Sequence, residues 1–271
     1  MLLEQLLGES TRGIRMRGAL VGFALVLSAG CAGNNPPEFQ EVPSAEVLYR
    51  QGLESLENGK LLGIIPKADY EGAVHTFQAI VDNYPYSDYA VLAELKIADT
   101  YYDQGKWEEA LSYYRDFAEL HPSHERVPYS ILRSALSRKH QALESNRDQT
   151  NTRRSLEHLD HLLTRYPYSP EAQEAELLWR EMRTRLAAHQ MGVGDFYMDR
   201  EEYQSAADRF RNVLNDYPGL GLDGQALYKL GTCYTKMNLD DEATRIFEVI
   251  LNNYDGTEFA EAAREHVPAA N

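Results

Sequence analysis

The sequence predicts an all-α protein, a solenoid of about five helix pairs preceded by a signal peptide and a flexible N-terminal tether. Three observations lead to this prediction. Short turn-forming segments recur along the chain, small and aromatic residues repeat at fixed offsets between them, and an apolar stretch near the start ends at a cysteine. Together they predict a single helical region that follows an export signal.

Residues 1–30 have the layout of a lipoprotein signal peptide. Three arginines between residues 12 and 17 form a positive segment, and an uninterrupted run of apolar and small residues follows. The run is too short to serve as a stop-transfer helix. Because residues 27–31 resemble a lipobox, we predict cleavage after Gly30 and lipidation of Cys31. An ordinary signal peptide with an unrelated cysteine is the alternative interpretation.

Residues 31–43 are predicted to form the lipidated, flexible tether. They contain three prolines and few apolar side chains, a composition typical of linkers. The residue after Cys31 is Ala32 and not Asp, which by resemblance to enteric lipoprotein sorting implies transport to the outer membrane. A covalent lipid also suits a chain of net charge −15, since anionic headgroups would repel it.

Five turn-forming segments divide the rest of the chain at intervals of 37 to 51 residues. Each follows one helical pattern and precedes another, so each is predicted to be a boundary between helices. Ser87, Ser169 and Thr257 stand where a helix N-cap belongs, and Pro170 suits a first helical position. The segments are Asn83–Ser87, Leu120–Ser123, Arg165–Ser169, Asp216–Gly219 and Asn253–Gly256.

A second pattern recurs between these segments. A small residue is followed three residues later by Tyr, twelve later by Ala and sixteen later by Phe or Tyr; the copies start at Ala98, Gly194 and Gly231. In two antiparallel helices, the small residue lets the Ala approach closely, and the aromatic ring fills the adjacent space. These offsets are the tetratricopeptide repeat signature. A helical bundle with coincidental spacing is the alternative.

Two repeats and one connection are irregular. Gly52 lies 21 residues before Ala73 instead of 12, which predicts an insertion around 60–69. In the third repeat Leu143 stands in the small position, and a polar stretch separates the two helices. Apolar positions at helical spacing predict one long helix over 170–199. The predicted divisions are 44–127 for the first two repeats, 128–169 for the third repeat with its polar insertion, and 170–267 for the long joining helix, the C-terminal repeats and a cap.

Charge and cysteine content exclude several classes of function. A net charge of −15 repels phosphate backbones, so nucleic acid is not an expected partner. The two cysteines, Cys31 and Cys233, lie far apart in sequence, and no disulfide framework is expected. Cys233 falls within a predicted helix, where a packed, unreactive thiol is the default.

The chain carries no motif for catalysis or for binding a cofactor. We predict no catalytic residue, no cofactor and no metal. His158 and His161 lack a further ligand nearby in sequence and are interpreted as surface residues; a metal-binding or enzymatic role is the alternative, which metal analysis would test. Function is therefore expected on the concave surface of the solenoid, with Asp99, Tyr102 and Asp103 as candidate groove residues.

The lipobox, about five repeats, the Tyr-Pro-Tyr-Ser of the first boundary and the polar insertion at 146–150 together resemble the BamD family, also called YfiO or ComL. The likeness covers the chain from about Pro43 to Phe259. It implies a non-enzymatic scaffold lipoprotein of the β-barrel assembly machinery, which would be lipid-anchored in the outer membrane and face the periplasm.

The resemblance also implies partners. The C-terminal repeats would dock on a POTRA domain of BamA through Arg209, the N-terminal repeats would hold the β-signals of unfolded outer membrane proteins, and other BAM lipoproteins would join the complex. The longer first-repeat hairpin departs from the family and leaves the geometry of the substrate-binding end open. Another periplasmic tetratricopeptide-repeat adaptor, in cell-envelope or peptidoglycan coordination, is the alternative; such proteins usually carry a coiled coil, and no heptad segment is visible here.

Overall fold

The structure, a computed structural model, describes residues 42–58, 60–61, 65–66 and 68–267 of the 271-residue chain. The predicted signal peptide, nearly all of the tether and Cys31 lie outside these residues. The described elements, in chain order, are α1 (Ala45–Asn58), β1 (Lys60–Leu61), β2 (Ile65–Pro66), α2 (Tyr70–Asn83), α3 (Asp88–Asp103), α4 (Trp107–Leu120), α5 (Val127–His140), α6 (Thr150–Arg165), α7 (Ala172–Asp199), α8 (Tyr203–Asp216), α9 (Asp223–Lys236), α10 (Asp240–Asn253) and α11 (Glu258–Ala263).

The helices pair in chain order, and each packs against the next along the stack. The pairs α1–α2, α3–α4, α5–α6, α7–α8 and α9–α10 form five repeats, and α11 packs on α9 and α10. The predicted all-α solenoid of about five helix pairs is confirmed. Within the described residues, strands are limited to the antiparallel β1–β2 hairpin, which lies in the insertion between α1 and α2.

The repeat signature has a direct steric meaning. A Cβ added at Gly194 would lie 2.5 Å from the ring of Phe210, and one added at Gly231 would lie 2.8 Å from the ring of Phe247. Both rings are fully or almost fully buried. The absence of a side chain on the first helix therefore allows an aromatic ring of the second helix to pack against its backbone.

The third repeat has a different register from the predicted one. Helix α5 ends at His140, so Leu143 lies in the following loop and is exposed. The small residue that meets α6 is Ala135, whose carbonyl accepts a hydrogen bond from the buried Ser155 hydroxyl at 2.9 Å, 20 residues along the chain. The twelve-residue offset of the repeat signature places the small residue at Leu143, twelve residues before Ser155. This offset does not hold in the third repeat, because the polar insertion lengthens the connection between its two helices.

Two of the three predicted N-caps are confirmed. The Ser87 hydroxyl accepts from the Ala90 amide at 3.2 Å, and the Thr257 hydroxyl accepts from the Ala260 amide at 3.3 Å. The prediction for Ser169 is wrong. Pro170 and Glu171 continue a turn, so α7 begins at Ala172 with Glu171 as its N-cap residue.

The long helix α7 joins two parts of the core. Its first half packs with the second and third repeats through Leu178 and Met182, and its second half packs with the fourth repeat through Ala187 and Met191. Along the described chain, no helix combines the length and hydropathy needed to cross a membrane. In the fifth repeat Cys233 is buried, as predicted, and burial raises the pKa of its thiol to about 11.

Candidate functional site

The carboxylate of Asp99 on α3 organises a polar cluster between the second and third repeats. It accepts hydrogen bonds from the hydroxyl of Tyr114 at 2.7 Å and from that of Tyr129 at 2.8 Å. Lys96 lies 3.4 Å away, one turn earlier on the same helix. The Asp99 side chain is only 13% exposed. Three neighbouring groups therefore satisfy a nearly buried charge, which fixes the packing of α3 against α4 and α5.

Arg133 on α5 completes this cluster. Its guanidinium lies 3.7 Å from the centroid of the Tyr102 ring, a cation–π contact. Its Nε donates to the Tyr114 hydroxyl oxygen at 3.3 Å, and its Nη2 lies 3.9 Å from the Asp103 carboxylate. We call Asp99, Tyr102, Asp103, Tyr114, Tyr129 and Arg133 the Arg133 cluster. The structure thus brings all three predicted groove residues together around a residue that the sequence analysis missed.

The outer part of the cluster is aromatic. The Tyr102 hydroxyl and His140 Nε2 are joined by a hydrogen bond of 3.0 Å, and the His140 ring stacks on Trp107 with centroids 4.2 Å apart. Arg126 lies 4.7 Å above the ring of Tyr129. The surface therefore presents rings beside guanidinium groups, an arrangement suited to aromatic side chains and carboxylates of a bound peptide.

The protonation states in the cluster preserve its internal hydrogen bonds. Burial, reinforced by the charge of Asp99, raises the pKa of both Tyr114 and Tyr129, so each hydroxyl keeps the proton that it donates. Burial also raises the pKa of Asp103, while Arg133 opposes that change. The described residues contain no group of three or more His, Cys, Asp or Glu that could hold a metal ion.

Arg209 lies elsewhere, on α8 in the fourth repeat. Its Nη1 is 3.3 Å from the Gln190 side-chain oxygen, and its guanidinium lies 6.0 Å from the centroid of the Tyr197 ring. The guanidinium forms no salt bridge within the part of the chain that the structure describes. The predicted site residues therefore fall into two places, the Arg133 cluster and the surface around Arg209, while Cys31 lies outside the described residues.

Arg133 was missed because of the register of the third repeat. It stands two residues before Ala135, as Lys96 stands two residues before Ala98. With Leu143 assigned to the small position, the groove face of α5 could not be located from the sequence. If the third repeat had the regular spacing, alignment with the second repeat would have placed Arg133 at the position of Lys96.

The family comparison and the similar sequences agree with each other. Residues 43–249 match the family model YfiO, described as an outer membrane lipoprotein. The chain is 27% identical to the outer membrane protein assembly factor BamD of Rickettsia prowazekii, over 90% of this chain and 93% of that protein. It is 25% identical to the protein of the same name from Vibrio cholerae, over 85% and 95%. Among solved structures, the TPR2AB-domain:pHSP90 complex of yeast Sti1 matches 81% of each chain, with 12% identity and a TM-score of 0.45.

Proposed function

The chain belongs to the YfiO family of outer membrane lipoproteins, and from this membership we propose that it is a non-enzymatic scaffold of the β-barrel assembly machinery. In this role it aids the folding and insertion of outer membrane proteins. The family match over 43–249 is the observation that carries the proposal. The names of its relatives, which are outer membrane protein assembly factors, support it.

The Arg133 cluster is the proposed site for the β-signals of unfolded outer membrane proteins. Its rings can pack against aromatic side chains, and Arg133 can pair with a carboxylate. The hydrogen bonds around Asp99 hold these groups in place before a peptide arrives, which lowers the entropic cost of binding.

The surface around Arg209 is the proposed contact with a POTRA domain of a BamA-like protein, and other BAM lipoproteins would join this complex. We expect Arg209→Glu to weaken that binding by about 2 kcal/mol or more, because a close charge pair would become a repulsive one. A pull-down from mildly solubilised membranes measures the effect. Arg115→Glu, a charge reversal at an exposed arginine of α4 in the N-terminal repeats, serves as the control.

Two results would contradict these assignments. Capture of no BamA-like barrel by the wild-type chain would overturn the proposed function. Equal capture by the Arg209 and Arg115 variants would remove Arg209 from the docking surface.

A lipid on Cys31 is the proposed anchor in the outer membrane, with the repeats facing the periplasm. We expect Cys31→Ser to move the protein from the outer membrane fraction into the soluble periplasmic fraction, because each buried CH₂ of a lipid contributes about 0.8 kcal/mol to anchoring. Cell fractionation with immunoblotting measures the shift. Cys233→Ser is the matched control and should remain with the membrane. A Cys31 variant that still sediments with outer membranes would show that the lipid is not the anchor.

A further inference from the structure

A pocket of about 320 Å³ lies between the polar insertion and the second half of α7. Its lining is mostly apolar, and its volume falls at the lower end of the range for ligand pockets, about 300–1,000 Å³. We call it the Gly192 pocket. It is lined by Ser145 and Asn146 of the α5–α6 loop, which contains the insertion, and by Ala188, His189, Gly192, Val193 and Phe196 of α7.

The walls of the Gly192 pocket are fixed by hydrogen bonds. Arg185 donates to the Leu143 carbonyl at 2.8 Å, and His189 Nδ1 donates to the Ser145 carbonyl at 2.6 Å. Gln149 is buried, and its amide donates to the Glu144 carbonyl at 2.8 Å within the insertion. The pocket is therefore formed before any partner arrives, which favours binding.

Gly192 differs from the glycines of the repeat signature. Those glycines lie against phenylalanine rings, whereas a Cβ added at Gly192 would meet nothing within 4 Å. Glycine in the interior of a helix is destabilising relative to alanine, and no contact in the described structure explains this one. Its effect is to leave the pocket open, because a side chain on this exposed residue would project into it.

The equivalent position in the other repeats is cationic. Two residues before the small residue of each first helix stand Arg50, Lys96, Arg133 and Lys229, and only the fourth repeat has glycine there, at Gly192. A long side chain at this position would occupy the space of the pocket. At this position the fourth repeat therefore has an apolar pocket in place of a charged side chain.

Basic groups next to the pocket indicate the charge of its occupant. Arg200 lies 4.6 Å above the ring of Phe196, whose centroid is 5.7 Å from that of Tyr197, the ring that Arg209 approaches. Neither Arg200 nor Arg209 forms a salt bridge with any described residue. Residues 126–209, which include the pocket and Arg209, carry thirteen Lys and Arg against thirteen Asp and Glu, in a chain of net charge −15. This region therefore repels acidic segments less than the rest of the protein does.

We propose that the Gly192 pocket receives an apolar side chain from an acidic segment of the partner that contacts Arg209. The inference rests on the proposed docking of a BamA-like protein, and it adds a steric anchor beside the charged contact. An apolar side chain seated in a preformed recess, with charges at the rim, is the usual arrangement of an energetic hot spot.

Gly192→Leu tests this proposal without weakening the fold. Leucine is a good helix former with open space at this position, so the thermal midpoint of unfolding should stay the same or rise. The expected result is a loss of affinity of at least about tenfold between the mature chain and the purified periplasmic domains of the BamA relative from the same organism. Gln173→Leu, at an exposed position of the same helix outside the pocket, should bind as the wild type does.

The outcomes separate the two proposals. Weaker binding by Gly192→Leu with normal binding by Gln173→Leu supports the pocket. Unchanged binding by Gly192→Leu, with weaker binding by Arg209→Glu, overturns the pocket and leaves the docking function intact. If the wild-type chain does not bind these domains, both the docking function and the pocket's occupant are wrong.

Discussion

Phe210→Ala is expected to lower the free energy of unfolding by about 3–5 kcal/mol, because it removes a fully buried ring and leaves a cavity. The ring fills the space against Gly194 in the core of the fourth repeat. Urea unfolding followed by circular dichroism measures the loss. Repeats of a solenoid contact only their neighbours, so the defect should first appear as unfolding of the repeats around α8.

Phe196→Ala is the matched control for this prediction. The same substitution removes a ring that is 52% exposed, only fourteen residues earlier in the chain. Its main described contacts are Arg200 and Tyr197, so we expect a loss of about 1 kcal/mol or less. Equal losses from the two variants would contradict the steric interpretation of the repeat signature.

Asp99→Ala is expected to lower the free energy of unfolding by about 2–4 kcal/mol. The substitution leaves the hydroxyls of Tyr114 and Tyr129 without their acceptor, and a buried unsatisfied donor costs about 1–3 kcal/mol. Tyr114 is fully buried, whereas Tyr129 can partly turn to water. We expect binding of a peptide carrying a β-signal to weaken as well, because Arg133 loses the network that holds it.

Asp99→Asn separates the loss of charge from the loss of the acceptor. Both hydroxyls donate to the same oxygen of Asp99, and an amide oxygen in that place can accept both hydrogen bonds. These bonds become weaker because the acceptor is neutral, so the loss of stability should be about half that of Asp99→Ala or less. Urea unfolding gives the stability, and fluorescence anisotropy of a labelled peptide gives the affinity. If both variants are as stable as the wild type, Asp99 does not organise the cluster.

The helix pairs and their boundaries could be predicted from short sequence patterns, because these patterns arise from contacts between helices that are adjacent in the chain. The glycine and phenylalanine offsets report a contact between two successive helices, and the turn segments report where each helix must end. The prediction for Ser169 failed because a proline permits either a first helical turn or a preceding turn, and packing decides between them. The β1–β2 hairpin was not foreseen, since only the presence of an insertion was visible.

The candidate site could be predicted in part. Asp99, Tyr102 and Asp103 were found because the second repeat is regular, and its first helix could be aligned with the signature. Arg133 and the partners on α5 were missed because the polar insertion shifts the count between Ala135 and Ser155. The match of the chain to an outer membrane lipoprotein family agrees with the resemblance seen in the sequence.

The sequence by itself determined the helix pairs, their order and the positions where a missing side chain admits a ring, since these depend on neighbours within about forty residues. The tertiary structure decided which charged groups meet across repeats. It also decided that Gly192, unlike the glycines of the repeat signature, has no ring packed against it. Asp99 accepts a hydrogen bond from Tyr129, 30 residues later in the chain. Gly192 lines the same pocket as Ser145 of the α5–α6 loop. Such contacts depend on how the repeats stack, a property that no local spacing encodes.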